Sequence, residues 1–255
     1  MKMRDFWDRE KMHAPQGNLT WILMISGLSI MKRYREAVES PVSTLRLDPP
    51  ATALRTAASE SLLRTLRMEG ADLSLIHLAP SAGGLGVFAD SDIASSGEVF
   101  RCPCGVLLTA QAALDDAIIG EQLRDSRVAH LLDDRWRVIL LLMQRRREGS
   151  TYAASLPGSE LVESLPLHWP EQEQMELLGG TTLLRQARAS RLALRSFYDD
   201  IVCDILAARW PHTFTAEESE KRPGSFGWDA LCWAHAMFWS RAIGLDLPGG
   251  RCERT

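Results

Sequence analysis

Gly83-Gly84-Leu85-Gly86-Val87-Phe88-Ala89-Asp90-Ser91-Asp92-Ile93, followed by Gly97-Glu98-Val99-Phe100, lies at the centre of a block of short apolar runs separated by turn residues. Two short apolar runs flank a polar turn, and the first opens on three glycines within four residues. Glycine accepts φ > 0 and lets another group approach the main chain closely. A glycine-rich entry to a strand is therefore a turn, a bulge or one wall of a ligand site. The stretch is not a dinucleotide fingerprint, because the third glycine of GxGxxG is missing and Val87-Phe88-Ala89 does not open a helix.

Outward from this stretch the chain changes character twice. Before it, Leu62, Leu63 and Leu66 have the spacing of one apolar helix face from Ser59 onward, and Gly70 supplies a stop. Leu73 to Leu78 then reads as a strand ended by Pro80, and Val87-Phe88-Ala89, Val99-Phe100 and Val106-Leu107-Leu108 read as further short strands. Residues 1–58 read as a leader with at most local helix, broken at Pro49-Pro50.

After Thr109 the pattern is helical. Residues 110–119 predict a short helix and Val128 to Arg147 a longer one, with an apolar stripe of Val128, Leu131, Leu132, Trp136, Ile139, Leu140 and Met143. Arg145-Arg146-Arg147 suit the negative end of its dipole. Gly149 to Pro170 reads as loop, and Pro170 sits at a first helical position ahead of Glu171, Glu173 and Glu176. Gly179-Gly180 interrupts that helix; Thr181 to Trp210 resumes it, with Leu194, Phe197, Ile201 and Ile205 on one face. Thr215-Ala216-Glu217-Glu218 has the form of a capping box, running into an insertion through Pro223-Gly224. Phe226 to Ile243 is a helix apolar on nearly all sides, which implies deep burial. Arg241 at its end must either escape to water or meet an anion.

Composition bounds the function. The 255 residues are 45% hydrophobic and 24% charged, an ordinary globular balance, and the net charge of −4 lacks a nucleic-acid footprint. Five cysteines, an odd number in a long chain, fit a reducing, intracellular compartment better than a disulfide framework. Which one (cytoplasm, nucleus or plastid) is not distinguished. The apolar run Leu19 to Met31 is too short to span a bilayer, so no membrane partner is expected.

Tested singly, the reactive residues form no self-sufficient motif. GxxxxGK(S/T) and GxSxG are absent. Cys102-Pro103-Cys104 offers two thiols without a second close pair, and the histidines show no metal-ligand spacing, so no metal is expected. His235 reads as a satisfied core polar group, and Asp115-Asp116, Asp133-Asp134 and Asp199-Asp200 as solvated helix faces.

Four blocks in order nevertheless resemble a known family. They are Leu62-Leu63-Arg64 through Leu73; GGLGVFADSDIASSGEVFRCPCGVLLT, residues 83–109; Val138 to Pro157 with His168-Trp169-Pro170-Glu171 through Thr181; and Trp228 to Trp233 with Trp239-Ser240-Arg241-Ala242-Ile243. Together they are similar to the SET domain, in its Rubisco large-subunit methyltransferase branch of the protein-lysine methyltransferases. The resemblance implies an α+β fold: a partial SET domain of short strands with a large helical insert. It divides the chain into a leader (1–58), the N-terminal part of the SET domain (59–109), the insert (110–224) and a helix returning to the SET core (225–255).

The same resemblance implies S-adenosylmethionine as methyl donor and a protein lysine, or in some relatives a histidine, as acceptor. Backbone groups of Gly83, Gly84, Leu85 and Gly86 would line the cofactor. Arg241 would neutralise its carboxylate, and the Ser240 carbonyl would lie beside the acceptor amine. The chain also departs from the family. The Asn-His pair of the C-terminal knot has no counterpart, since Asn18 is the only asparagine. Tyr34, Tyr152 and Tyr198 all precede Arg241, so none takes the place of the family's catalytic tyrosine. The expectation is therefore the front half of a SET methyltransferase, truncated before the knot and the substrate-binding domain. Methyl transfer is expected to be weak or absent, and exposed apolar surface to promote self-association. The alternative is a non-catalytic protein-interaction module that keeps the insert.

Overall fold

The computed structural model describes residues 20–23, 49–81, 84–215 and 226–245, of which 20–23, 49–55, 80–81, 84 and 244–245 as backbone alone. Gly83 and residues 216–225, with most of the capping box and the insertion after it, lie outside the described residues.

The leader is not merely helical. Strand β1 (Thr20–Leu23) pairs antiparallel with β4 (Ala242–Leu245), Thr20 opposite Leu245 and Leu23 opposite Ala242. Helix α1 (Pro49–Met68) starts at the Pro49-Pro50 pair and not at Ser59. Proline is tolerated there because the first helical N–H groups have no intrahelical acceptor. The helix ends as predicted, with Gly70 at φ +92°.

Strand β2 (Ile76–Ser81) and β3 (Gly84–Ala89) form an antiparallel hairpin, with Ile76 opposite Ala89 and Ser81 opposite Gly84. The strand predicted at Leu73–Leu78 thus begins three residues later. Leu73 is instead buried beside a bridge that joins Asp72 to Arg101. Val99-Phe100 is not a strand: both side chains stay exposed. The strand expected at Val106–Leu108 is preceded and overlapped by a 3-10 turn, Cys104–Val106. Short apolar pairs offer too few alternating positions to hold a ladder without a partner on each side.

The remainder is helical: α2 (Ala110–Leu114), α3 (Gly120–Arg124), α4 (Ser126–Ala129), α5 (Asp134–Arg147), α6 (Thr151–Ser155), α7 (Ser159–Glu163), α8 (Glu171–Leu178), α9 (Thr182–Phe197) and α10 (Trp228–Arg241). The single helix predicted over Val128–Arg147 is divided, because the Asp133 carboxylate accepts from Trp136 N at 3.1 Å and starts α5 there. The predicted loop 149–170 contains α6 and α7, single turns below the length at which periodicity is readable. Thr181 caps α9, and Gly180 takes φ +78° at the break before it.

From Tyr198 to Ala207 the helix continues with π winding. The wider turn moves the buried face from the predicted 3.6-residue track onto Tyr198, Ile201, Val202 and Leu206, leaving Ile205 only partly covered. Helix α10 is buried nearly all round, through Leu231, Cys232, Trp233, Ala234, Ala236, Met237 and Phe238. It packs on α5 and α7. Its last residue hands directly to β4, so the predicted helical Ala242-Ile243 is strand.

Two cores result. The larger unites α5, α9, the π segment and α10 around Trp136, Phe197, Phe214, Phe226 and Phe238. The smaller holds Leu62, Leu66, Ala71, Leu73 and Ile76 between α1 and the hairpin. Among the described residues no helix is long and apolar enough to cross a membrane.

Candidate functional site

The glycine stretch forms the second strand of a hairpin. Gly84 and Gly86 stand opposite Ser81 and Ala79 in β3. Neither position carries a side chain, and Gly86 is buried. Val87, the next residue, turns inward and packs on the smaller core.

At the other side stands the end of α10. Ser240 and Arg241 are both half-buried. Arg241 Nη1 donates to Ser240 Oγ at 2.5 Å and lies 3.5 Å from Met237 Sδ. The Ser240 hydroxyl in turn bonds back into the helix, 2.7 Å from Ala236 O and 3.2 Å from Met237 O. The Ser240 carbonyl lies in the last helical turn, where carbonyls have no intrahelical donor.

Tyr152 joins the two sides. Ser150 caps α6 by accepting from Ala153 N at 3.2 Å, and α6 packs along α1. Tyr152 packs against both cores, the small one on which Val87 also packs and the large one that includes α10. Its hydroxyl is shut off from solvent and has no hydrogen-bond partner among the described residues. Burial pushes the phenol's pKa well above its ordinary value, while the positive charge of Arg241 pulls the other way. Of the predicted site residues, Ser240 and Arg241 touch each other, while Gly84, Leu85 and Gly86 lie in strand β3 of the hairpin. In the sequence Tyr152 is marked only as one of three tyrosines that precede Arg241. Nothing in its sequence context shows that its hydroxyl is buried.

A second polar cluster lies around α10. The Trp239 indole donates to His235 Nε2 at 2.9 Å, and Trp136 stacks near the same imidazole. Burial, then His168 and Arg135, push the His235 pKa down to about 3. His168 is down to about 4 through burial and Arg191. A separate cleft of about 310 Å³ is lined by Arg146, Ala153, Leu156, Pro157 and Trp233, with the Arg146 guanidinium 4.5 Å over the Trp233 ring. Among the described residues, no group of three or more His, Cys, Asp or Glu is placed to hold a metal ion.

No protein-family model matches the sequence, and no curated protein matches it significantly. Solved structures do match. The SET domain of LSMT bound to lysine and AdoHcy superposes with a TM-score of 0.55 at 21% identity, over 71% of this chain and 38% of that one. Rubisco LSMT bound to sinefungin and monomethyllysine gives 0.52 at 21% identity, over 70% and 39%. Rubisco LSMT bound to AdoMet gives 0.51 at 21% identity, over 70% and 39%. The fold is SET-like. The chain spans less than two fifths of the length of these SET-domain neighbours. A helix-rich body with small antiparallel sheets, one carrying the glycine strand, is the SET-like architecture seen here.

Proposed function

We propose that this chain supplies the S-adenosylmethionine-binding wall of a protein-lysine methyltransferase. The observation that supports the reading is a SET-like fold in which the glycine stretch forms the second strand of the hairpin and the half-buried pair Ser240-Arg241 ends α10. The residues present suit the cofactor. Gly84 and Gly86, on either side of Leu85 in β3, carry no side chain that would block close approach of an adenosyl group. Arg241 offers a half-buried guanidinium to a carboxylate, and Tyr152 holds an unused buried donor.

When bound, S-adenosylmethionine supplies an electrophilic methyl on a positively charged sulfur. The chain's contribution is position. The Arg241 guanidinium makes a charge-assisted pair with the carboxylate and fixes the tail of the ligand. The Ser240 carbonyl, at the open end of α10, is an acceptor for the lysine amine and holds its lone pair toward the methyl. Orientation of this kind accounts for most of the rate in a reaction without general-base chemistry in the chain itself. The acceptor amine must be neutral, which a water-poor channel favours.

Titration calorimetry with S-adenosylmethionine and with S-adenosylhomocysteine tests the reading. Saturable, one-to-one binding of both is expected, with adenosine alone binding far more weakly. No heat with either compound overturns it. The helical core formed by α5, α9 and α10 is continuous without the hairpin, which favours a second reading, a protein-interaction module. Cofactor binding without transfer to any protein acceptor selects the binding wall alone. Absence of both leaves the module.

A further inference from the structure

A tyrosine hydroxyl sealed inside a protein without a partner is unusual, because an unmade hydrogen bond there costs about 1–3 kcal/mol. Among the described residues the Tyr152 hydroxyl is such a group. Its position is not a slack one. Tyr152 lies in the first turn of α6, which is capped by Ser150 and closed by Ser155 Oγ donating to Tyr152 O at 2.7 Å. The partly buried ring packs against both cores, the smaller of which also takes Val87 of the glycine strand and the larger of which includes α10. Tyr152 thus cannot turn its hydroxyl to water without leaving both.

Resting on the cofactor reading above, we infer that the Tyr152 hydroxyl is a second donor to the carboxylate that Arg241 neutralises. An anion near Arg241 accepts from the guanidinium and from a phenol together, which satisfies the orphaned hydroxyl and explains why a donor is kept in an otherwise apolar seam. Two facts support this placement. The guanidinium's field reaches the phenol, since Arg241 is the charge that opposes the effect of burial on Tyr152. Ser240 Oγ, which accepts from Arg241 Nη1, holds that guanidinium against the end of α10. A carboxylate has lone pairs to spare for both donors. The site is thereby matched to the amino-acid end of the ligand and not to its nucleoside.

The test compares two ligands on two proteins by calorimetry: S-adenosylmethionine and its decarboxylated analogue, on the wild-type chain and on Tyr152→Phe. The substitution removes only an unpartnered oxygen, so the variant is expected to fold, and its near-ultraviolet circular dichroism confirms it. The wild type is expected to prefer the carboxylate-bearing ligand. Tyr152→Phe is expected to lose about tenfold in affinity for S-adenosylmethionine and less than twofold for the decarboxylated analogue. A perturbed tyrosine absorbance on binding should vanish in the variant. Equal losses for both ligands, or no loss for either, overturn the role of Tyr152 while leaving the cofactor reading intact. A wild-type chain that binds neither compound overturns both.

Discussion

The Trp239 indole N–H donates to His235 Nε2 at 2.9 Å, so that nitrogen must carry a free lone pair. Protonation breaks the bond and puts a charge beside Arg135 and His168, both of which already disfavour it. Unfolded histidine titrates near pH 6.5. Folded His235 is held down to about 3 and His168 to about 4. Between those values and 6.5 the unfolded chain binds more protons than the folded one, so stability present above pH 6.5 falls as pH is lowered toward 4. The expected slope is at most about 1.4 kcal/mol per pH unit for each histidine that stays neutral in the folded chain and binds its proton only on unfolding. His235→Gln keeps an acceptor for Trp239. Urea unfolding at pH 7, 6 and 5 should show its slope reduced by about 1 kcal/mol per pH unit relative to the wild type; an unchanged slope contradicts the assignment.

Asp115-Asp116 reads from sequence as a solvated pair, and only Asp115 is one. Asp116 is buried, with 3% of its side chain exposed. Its Oδ1 accepts from Ile118 N at 2.9 Å and Ile119 N at 3.0 Å, and its Oδ2 meets Arg145 Nη2 at 3.0 Å. Removing it leaves two backbone donors and a guanidinium without that acceptor. Asp116→Ala is expected to cost about 3 kcal/mol, and Asp115→Ala under about 0.5 kcal/mol. Chemical denaturation of the two variants side by side measures the difference, and equal effects reject it.

Trp233 is 2% exposed, and its Nε1 donates to Pro157 O at 2.7 Å, tying α10 to the segment between α6 and α7. Trp233→Phe keeps an aromatic face for Arg146 but leaves that carbonyl without its indole donor. A loss of about 1–2 kcal/mol is expected in thermal or urea unfolding, with the fold retained in circular dichroism. A variant as stable as the wild type would show that the bond contributes nothing net.

The parts legible in the sequence are those set by local pattern. The stripe on α5, the glycine stops at Gly70 and Gly180 and the all-round burial of α10 each follow from residues within a few turns of one another. What escaped was set by distant partners. Thr20–Leu23 lies inside an apolar run with no alternation, and only its pairing with Ala242–Leu245 makes it a strand. The widened turn over Tyr198–Ala207 keeps helical composition while shifting which residues face inward. At the site, the charge on an apolar helix singles out Arg241, yet the packing of Tyr152 on two cores at once depends on residues distant from it in the chain. The meeting of His168 with His235 is of the same kind.

Arg241 provides the last and most direct check on the cofactor wall. It sits half-buried at the point where α10 hands over to β4, with Nη1 against Ser240 Oγ. A charge-assisted hydrogen bond to a carboxylate contributes roughly 1.5–3 kcal/mol, so Arg241→Ala should weaken S-adenosylmethionine binding about ten- to a hundredfold. Arg241→Lys retains the charge and loses the planar fork, and an intermediate loss of several-fold is expected. The decarboxylated analogue lacks the group that Arg241 pairs with, so its affinity should change little in either variant. Calorimetry on the three proteins with both ligands reads this directly. If Arg241→Ala binds S-adenosylmethionine as tightly as the wild type, the carboxylate lies elsewhere, and the end of α10 is not the anchor of the site.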